Sequence, residues 1–326
     1  MGLELELFQS LVKQANEEAA GSLNRAGEFL MRFAIPAEFR PLLRRGRSTI
    51  LEVDRHTAAL PWEILVAEGA GPAGRYLGLS TALARQLRTT HGRPVGVTGR
   101  VTLKRILVIG DPGMPGGGGR LPGARAEAES VVRLLREHDL AVDFLLGSEG
   151  PGQATGADGP ATLANVLHHL LQREYDIVHY AGHGTFSTDD PAADSGWMLA
   201  DGLLKASHLT MVERLPPLLV ANACHSSRMS TGLPGLADEF IGRGVRNLVG
   251  TARAVDDTSA KTFSERFYAV LIERSLPGRT QESVTLGAAV LGGRSEVSAR
   301  RLPDWDAYQL YGDPDFRFWP AEPMPA

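Results

Sequence analysis

Cysteine is almost missing from this 326-residue chain: Cys224 is the only one. A lone thiol cannot close an internal disulfide, which excludes a scaffold stapled by disulfides and fits a reducing, cytoplasmic setting. No apolar run approaches the roughly 20 residues that a membrane-spanning helix needs, so no membrane partner is expected. The opening stretch, MGLELELFQSLVKQ, has no basic segment and puts glutamates where the apolar core of a signal peptide would begin. Glu6 also stands where a myristoylation pattern wants Ser or Thr. The formal net charge of −4 argues against a nucleic-acid binder that works by neutralising phosphates. The one basic cluster, FRPLLRRGR at 39–47, reads as a solvated face beside a strand.

Several motifs are missing as well. There is no CxxC, no HExxH and no tight His–carboxylate cluster, so no metal is expected. GxSxG is absent, which removes the common serine hydrolase signature. The loop GDPGMPGGGGRLPG (110–123) follows a strand and precedes a helix, as a phosphate loop would. It lacks the Lys-Ser/Thr of a P-loop, and Leu121 and Pro122 occupy the places where GxGxxG needs its third glycine. No cofactor is expected, and the loop reads as the rim of an active site.

What remains is an ordinary globular composition, 43% hydrophobic and 22% charged, with enough length for one large or two moderate domains. From residue 101 onward, strand-like and helix-like units alternate. RILVIG (105–110), AVDFLL (141–146), YDIVHYAG (175–182), LPPLLVANA (215–223) and VRNLVGTARAV (245–255) read as strands. Helical spacing covers 124–139, 161–174, 235–244, 259–275 and 281–296, and WMLADGLLKA (197–206) reads as a hairpin with a type I′ turn at its Asp-Gly. The segment 305–314 closes this unit. The expected fold class is α/β, a three-layer sandwich around a mostly parallel sheet. Residues 1–100 are less regular: a helix over 5–33, the segments 49–65 and 76–87, and a connector at 92–100 suggest a smaller N-terminal α/β region packed on the main sheet.

In parallel α/β sheets, chemistry collects beyond the carboxyl ends of the strands. Two strands deliver reactive side chains there: YDIVHYAGHG ends on His183, and LPPLLVANAC ends on Cys224, 41 residues later. A thiol with a pKa near 8.5 is mostly protonated at neutral pH, and a neighbouring imidazole can generate or pair with the thiolate. Backbone N–H groups at Gly184 and Cys224 are placed to stabilise an oxyanion, and glycine at 184 lets a substrate pass close to the backbone. A buried small hydrophobe is the commonest fate of a free cysteine; a histidine at a second strand end favours the nucleophile instead. His225, adjacent in sequence, reads as a loop neighbour. His179 reads as a packed core histidine, and His168 and His169 as structural residues of a helix. Asp256 and Asp257 are candidates either for a basic substrate side chain or for helix N-capping. For Asp189, Asp190 and Asp194, turn chemistry is the preferred reading.

The succession LPWEIL, RILVIGDP, HYAGHG, DGLLKASHL, LLVANACHSS, GVRNLVGTARAVDDTSAKTF and YQLYGDP resembles the CHAT domain. That family of caspase-like cysteine peptidases is related to caspases and separases, and the similarity runs over about residues 50–317. The resemblance implies a caspase–hemoglobinase sandwich, His183 as base and Cys224 as nucleophile, and oxyanion donors at the Gly184 and Cys224 amides. It implies a protein or peptide substrate, and a regulatory partner or a cleavage that orders the loops at 147–160 and 185–196. It also points to a part for Asp256 and Asp257 in substrate binding, and makes residues 1–100 a candidate remnant of a pseudo-protease region. Two departures stand out. The family commonly has SAC followed by Glu-Thr where this chain has NACHSS, and GTLW where it has GTAR, so that Arg253 is expected beside Asp256 and Asp257 and partly neutralises them. The alternative is a catalytically silent CHAT-fold interaction module.

Overall fold

Short runs of β-branched and apolar residues, bounded by glycine and polar turns, make the centre of the molecule. The computed structural model describes residues 20–43, 48–66, 76–88, 101–115, 118–147, 156–185, 195–225, 232–273 and 284–319; for Cys224 and His225 the description is of the backbone. The strands in chain order are β1 (Ser48–Val53), β2 (Ala82–Leu87), β3 (Val101–Thr102), β4 (Arg105–Gly110), β5 (Ala141–Leu146), β6 (Gly159–Pro160) and β7 (Ile177–Thr185). β8 (Gly196–Leu199), β9 (Gly202–Leu204), β10 (Leu218–His225), β11 (Asn247–Thr251), β12 (Tyr308–Tyr311) and β13 (Phe318–Trp319) complete the set.

Among the described residues, eleven of these strands form one sheet in the order β1-β2-β12-β11-β10-β7-β4-β5-β6, with the β8–β9 hairpin attached to the end of β7. Neighbouring strands run parallel from β11 to β6 and again from β1 to β12. The two blocks meet at one antiparallel seam, β11 against β12. Burial follows position in the sheet. Central β4 is buried almost throughout, as a strand covered on both faces must be, whereas edge strand β1 alternates exposed and half-buried residues.

The helices of ten or more residues are α1 (Ala20–Ala34), α2 (Pro122–Glu137), α3 (Leu163–Gln172), α4 (Gly232–Gly242), α5 (Asp257–Glu273) and α6 (Leu286–Ala299). α2 starts with proline, whose missing N–H costs nothing in a first turn, and buries a stripe of Glu127, Ala128, Val131, Val132 and Leu135. Thr162 caps α3 by accepting from the Asn165 amide.

Alternation along β7 sorts the helices into layers. His179 faces Glu127 of α2 and Tyr268 of α5. Its neighbour Tyr180 stacks on Trp197, which packs on Phe240 of α4 on the opposite face. The result is the expected three-layer α/β sandwich with a mostly parallel central sheet.

Some expectations shift. α1 begins at Ala20, and the earlier part of the helix expected over 5–33 lies outside the described residues, as do 92–100, 148–155 and 186–194. The hairpin over 197–206 forms, but without the type I′ turn. Leu199 pairs with Gly202 across Ala200–Asp201, and none of these residues has the positive φ that type I′ requires. Asp201 instead accepts the Leu163 amide at 2.6 Å, which places its carboxylate at the start of α3.

Candidate active site

β7 outruns its neighbour β4. Their last register pair is Gly110↔Ala181, and the remaining residues of β7 lie between β10 on one side and β8 on the other. In that extension the parallel register pairs His183 with Cys224 and Gly184 with His225. Adjacent strands lie roughly 4.8 Å apart, so the two backbone positions nominated from the sequence are direct neighbours across the sheet. The side chains of Cys224 and His225, and the polar turn that follows them, lie outside the described residues.

His183 is half-buried, and its Nε2 lies 2.7 Å from the carbonyl oxygen of Gly119. A carbonyl only accepts, so Nε2 carries the proton and a neutral ring keeps its lone pair on Nδ1. That Nδ1 is buried and has no hydrogen-bond partner among the described residues.

The Gly119 carbonyl is itself anchored. Asp111, at the end of β4 with φ 41°, accepts the Leu121 amide at 2.7 Å and Arg120 Nε at 2.9 Å, with Arg125 Nε at 3.5 Å. Gly119 has φ +68°, and a Cβ there would sit 2.5 Å from Met114 Cγ, so the glycine meets both a backbone and a space requirement. On the opposite face the Tyr180 hydroxyl lies 2.5 Å from the His183 carbonyl and 2.7 Å from that of Met198.

Beneath the strand ends is a buried polar cluster. Glu127 of α2 accepts from Asn222 Nδ2 at 2.6 Å and from Ser264 Oγ of α5 at 2.7 Å, both on Oε1. His179 Nε2 comes within 3.3 Å of the same oxygen, off the line of a hydrogen bond. Burial, and then the charge of Glu127, push the Tyr268 hydroxyl well above its ordinary pKa. His179 is thus the packed core residue anticipated. His169 of α3 is not part of this cluster; its Nδ1 lies 2.9 Å from the Tyr175 hydroxyl.

The acidic candidates separate. Asp256 caps α5, its Oδ1 accepting the amides of Thr258 and Ser259 at 2.9 and 3.2 Å. Asp257 is exposed, with its carboxyl group against Gly123 at the start of α2. Arg253 does not neutralise this pair, contrary to expectation: its guanidinium engages Asp304 at 3.1 Å and Asp306 at 2.8 Å. Those partners approach from the loop before β12, which the sequence around Arg253 gave no means of anticipating. Asp189, Asp190 and Asp194 lie outside the described residues.

The Gly119 carbonyl and Glu127 were missed from sequence. A backbone carbonyl leaves no trace in residue type. Glu127 did leave one, as an acid within the apolar stripe of an amphipathic helix. Among the described residues no cluster of His, Cys, Asp and Glu could hold a metal, and no helix is long and apolar enough to cross a membrane.

The CHAT domain family model matches residues 24–313. Among solved structures, the chain is similar to the Arg-specific cysteine proteinase gingipain R (RgpB), with TM-score 0.54 and 13% identity over 91% of this chain and 68% of that one. A complex of Porphyromonas gingivalis RgpB pro- and mature domains matches with TM-score 0.52 and 12% identity over 91% and 69%. The Saccharomyces cerevisiae separase–securin complex matches at TM-score 0.48 and 18% identity, over 81% of this chain and 15% of that one. No curated protein matches the chain. At these identities the gingipain structures share the caspase-like fold.

Proposed function

The chain belongs to the CHAT domain family, and from that premise we propose that it is a cysteine endopeptidase acting through His183 and Cys224. The observation that carries the proposal is the register that sets Cys224 beside His183 at the ends of β10 and β7. His183 Nδ1, without a hydrogen-bond partner among the described residues, supports it, because Nε2 is taken by Gly119 and only Nδ1 is left to accept a thiol proton.

In the proposed reaction, His183 Nδ1 takes the proton from the Cys224 thiol and the thiolate sulfur attacks the scissile carbonyl carbon. Negative charge moves to the carbonyl oxygen, for which the Gly184 and Cys224 amides are the proposed donors. The C–N bond breaks as the imidazolium returns its proton to the leaving amine, leaving a thioester. Water, deprotonated by the same ring, then attacks the thioester, releases the acid and restores the thiol. No metal or cofactor takes part in this scheme.

Of the two proposed substrate-binding acids, Asp256 uses its carboxylate as a cap, while Asp257 is exposed and offers its charge to a basic substrate side chain. A protein or peptide is the substrate, and a regulatory partner or a cleavage is the proposed means of activation, acting on the loops at 147–160 and 185–196. A reducing, cytoplasmic location is proposed from the single cysteine.

The test is cleavage of a mixed peptide library, with the sites identified by mass spectrometry. Cys224→Ala and His183→Ala should each lower turnover by at least about 10³-fold. Cleavage that survives Cys224→Ala overturns the assignment, and cleavage sites without basic residues remove the part given to Asp257.

A further inference from the structure

We infer that Glu127 is a positioning residue that holds the end of β10 in alignment with β7 through its hydrogen bond from Asn222, with His179 of β7 packed beside it. The inference rests on the peptidase proposal. Asn222 lies two residues before Cys224 on β10, and His179 lies four residues before His183 on β7. Both reach one oxygen of one carboxylate on α2, at 2.6 and 3.3 Å. Ser264 of α5 donates to the same oxygen at 2.7 Å and accepts from Asn222 Nδ2 at 3.0 Å, so a third element holds the Glu127 carboxylate.

The burial of this group is what gives it leverage. Glu127 and Asn222 are 1% and 6% exposed, so water cannot replace a lost partner, and a shifted strand end would leave a charged oxygen undersatisfied. The titratable groups facing Glu127 are His179 from β7 and Tyr268 from α5; no Lys or Arg is recorded against its carboxylate among the described residues. Hydrogen bonding to Asn222 therefore supplies the fixed direction.

α2 also continues directly from the segment that holds His183, since Gly119 precedes its first residue, Pro122, by three positions. One helix thus braces both halves of the proposed dyad: its leading loop holds the His183 ring, and Glu127 holds the backbone approaching Cys224. Lateral misplacement of a reacting group by about 1 Å can cost on the order of 10²-fold in rate, so such bracing bears on chemistry and not on folding alone. Asn222 is also one of the departures from the family pattern, standing where SAC has serine, and a serine hydroxyl is too short to make the same reach.

The single cysteine makes the test independent of any substrate. Alkylation by iodoacetamide, followed from pH 5 to 10, reports on Cys224 alone in the full chain, and thermal melts report folding of each variant. His183→Ala and Asn222→Ala should each slow alkylation below neutral pH by about tenfold, the effect of raising the thiol pKa by one unit. Asn222→Ser serves as the second variant if Asn222→Ala does not fold, and should slow alkylation in the same direction. Glu127→Ala, which removes the oxygen that Asn222 and Ser264 share, should slow alkylation as Asn222→Ala does. In a His183→Ala background, Asn222→Ala should add nothing, because its effect passes through the dyad.

A wild-type profile for folded Asn222→Ala, beside a shifted profile for His183→Ala, overturns the inference and leaves the peptidase proposal standing. Additive slowing in the double variant also overturns it, by showing a general structural effect. A wild-type profile for His183→Ala overturns the peptidase proposal and the inference with it.

Discussion

Asp111 controls more of the site than its distance from Cys224 in sequence suggests. Its carboxylate takes the Leu121 amide, Arg120 and Arg125, and so fixes the segment whose Gly119 carbonyl holds His183 Nε2. Asn at 111 tolerates the positive φ of 41° and can still accept from Leu121, but it loses the attraction for two guanidinium groups. Asp111→Asn should therefore destabilise the protein by about 1–3 kcal/mol in urea unfolding, with Cys224 alkylation slowed near neutral pH. A stability loss with unchanged alkylation would show that the loop does not govern His183. The nomination of His183 and Cys224 needed only residue type and the rule about strand ends. Their register required more: hydrogen bonding across β7 and β10 settles it, and nothing in either segment encodes the partner's phase. Arg253 shows the same limit, because its partners Asp304 and Asp306 lie some fifty residues away.

At the scale of elements, β4 and β5 were readable to the residue because each is a mostly apolar run of six residues that ends at a glycine or just before one. The short β12, YQLY, was expected only as a closing segment, and its antiparallel pairing with β11 has no signature in four residues. Polar residues inside a strand mark a different kind of junction. Asp143 of β5 accepts from Tyr175 at 2.8 Å and Arg105 at 3.0 Å, and forms an ion pair with Arg173, tying β5 to the segment between α3 and β7 and to β4. Burial alone would raise its pKa, but the hydrogen bonds from Tyr175, Arg173 and Arg105 outweigh it and hold the carboxyl below the ordinary aspartate range. A carboxyl whose folded pKa is depressed contributes stability above its unfolded pKa, near 3.9, and loses that contribution as pH falls through the folded value. Asp143→Asn should accordingly be less stable than wild type at pH 7, with the gap closing below about pH 4. Urea midpoints measured from pH 7 to pH 2.5 test this; a gap independent of pH would mean that shape, not charge, sets the contribution of Asp143.

The whole molecule depends on how the segments before residue 100 are joined to the rest. β2 meets β12 at the register pair Arg85↔Tyr311, the only one recorded between them, so side chains must secure that seam. Arg85 is fully buried and directs its guanidinium to Glu63 at 2.6 and 2.7 Å and to the carbonyls of Ala58 and Leu60. Arg294 of α6, equally buried, reaches Glu63 at 2.9 Å and the Tyr308 carbonyl at 2.6 Å. One carboxylate therefore joins the N-terminal segments to α6 and β12 while serving two cations. Burial is the main reason that the Arg294 pKa is lowered to about 10; Glu63 opposes that shift, and the like charge of Arg85 adds to it. Removing the carboxylate charge leaves two buried guanidinium groups that, among the described residues, pair with no other carboxylate, Asp306 acting on Arg294 only at longer range. Glu63→Gln should cost roughly 3–5 kcal/mol, the range for breaking a buried ion pair from one side. Replacing all three residues by Met should recover only part of that loss, because the desolvation of the charges is removed but the carbonyls of Ala58, Leu60 and Tyr308 lose their guanidinium donors. Urea unfolding compares the three proteins, and limited proteolysis followed by mass spectrometry locates the weakened region. If the seam is where the two blocks are held, Glu63→Gln exposes cleavage sites between residues 48 and 88 first; first cuts elsewhere, or wild-type stability, would place the join in the backbone ladder instead.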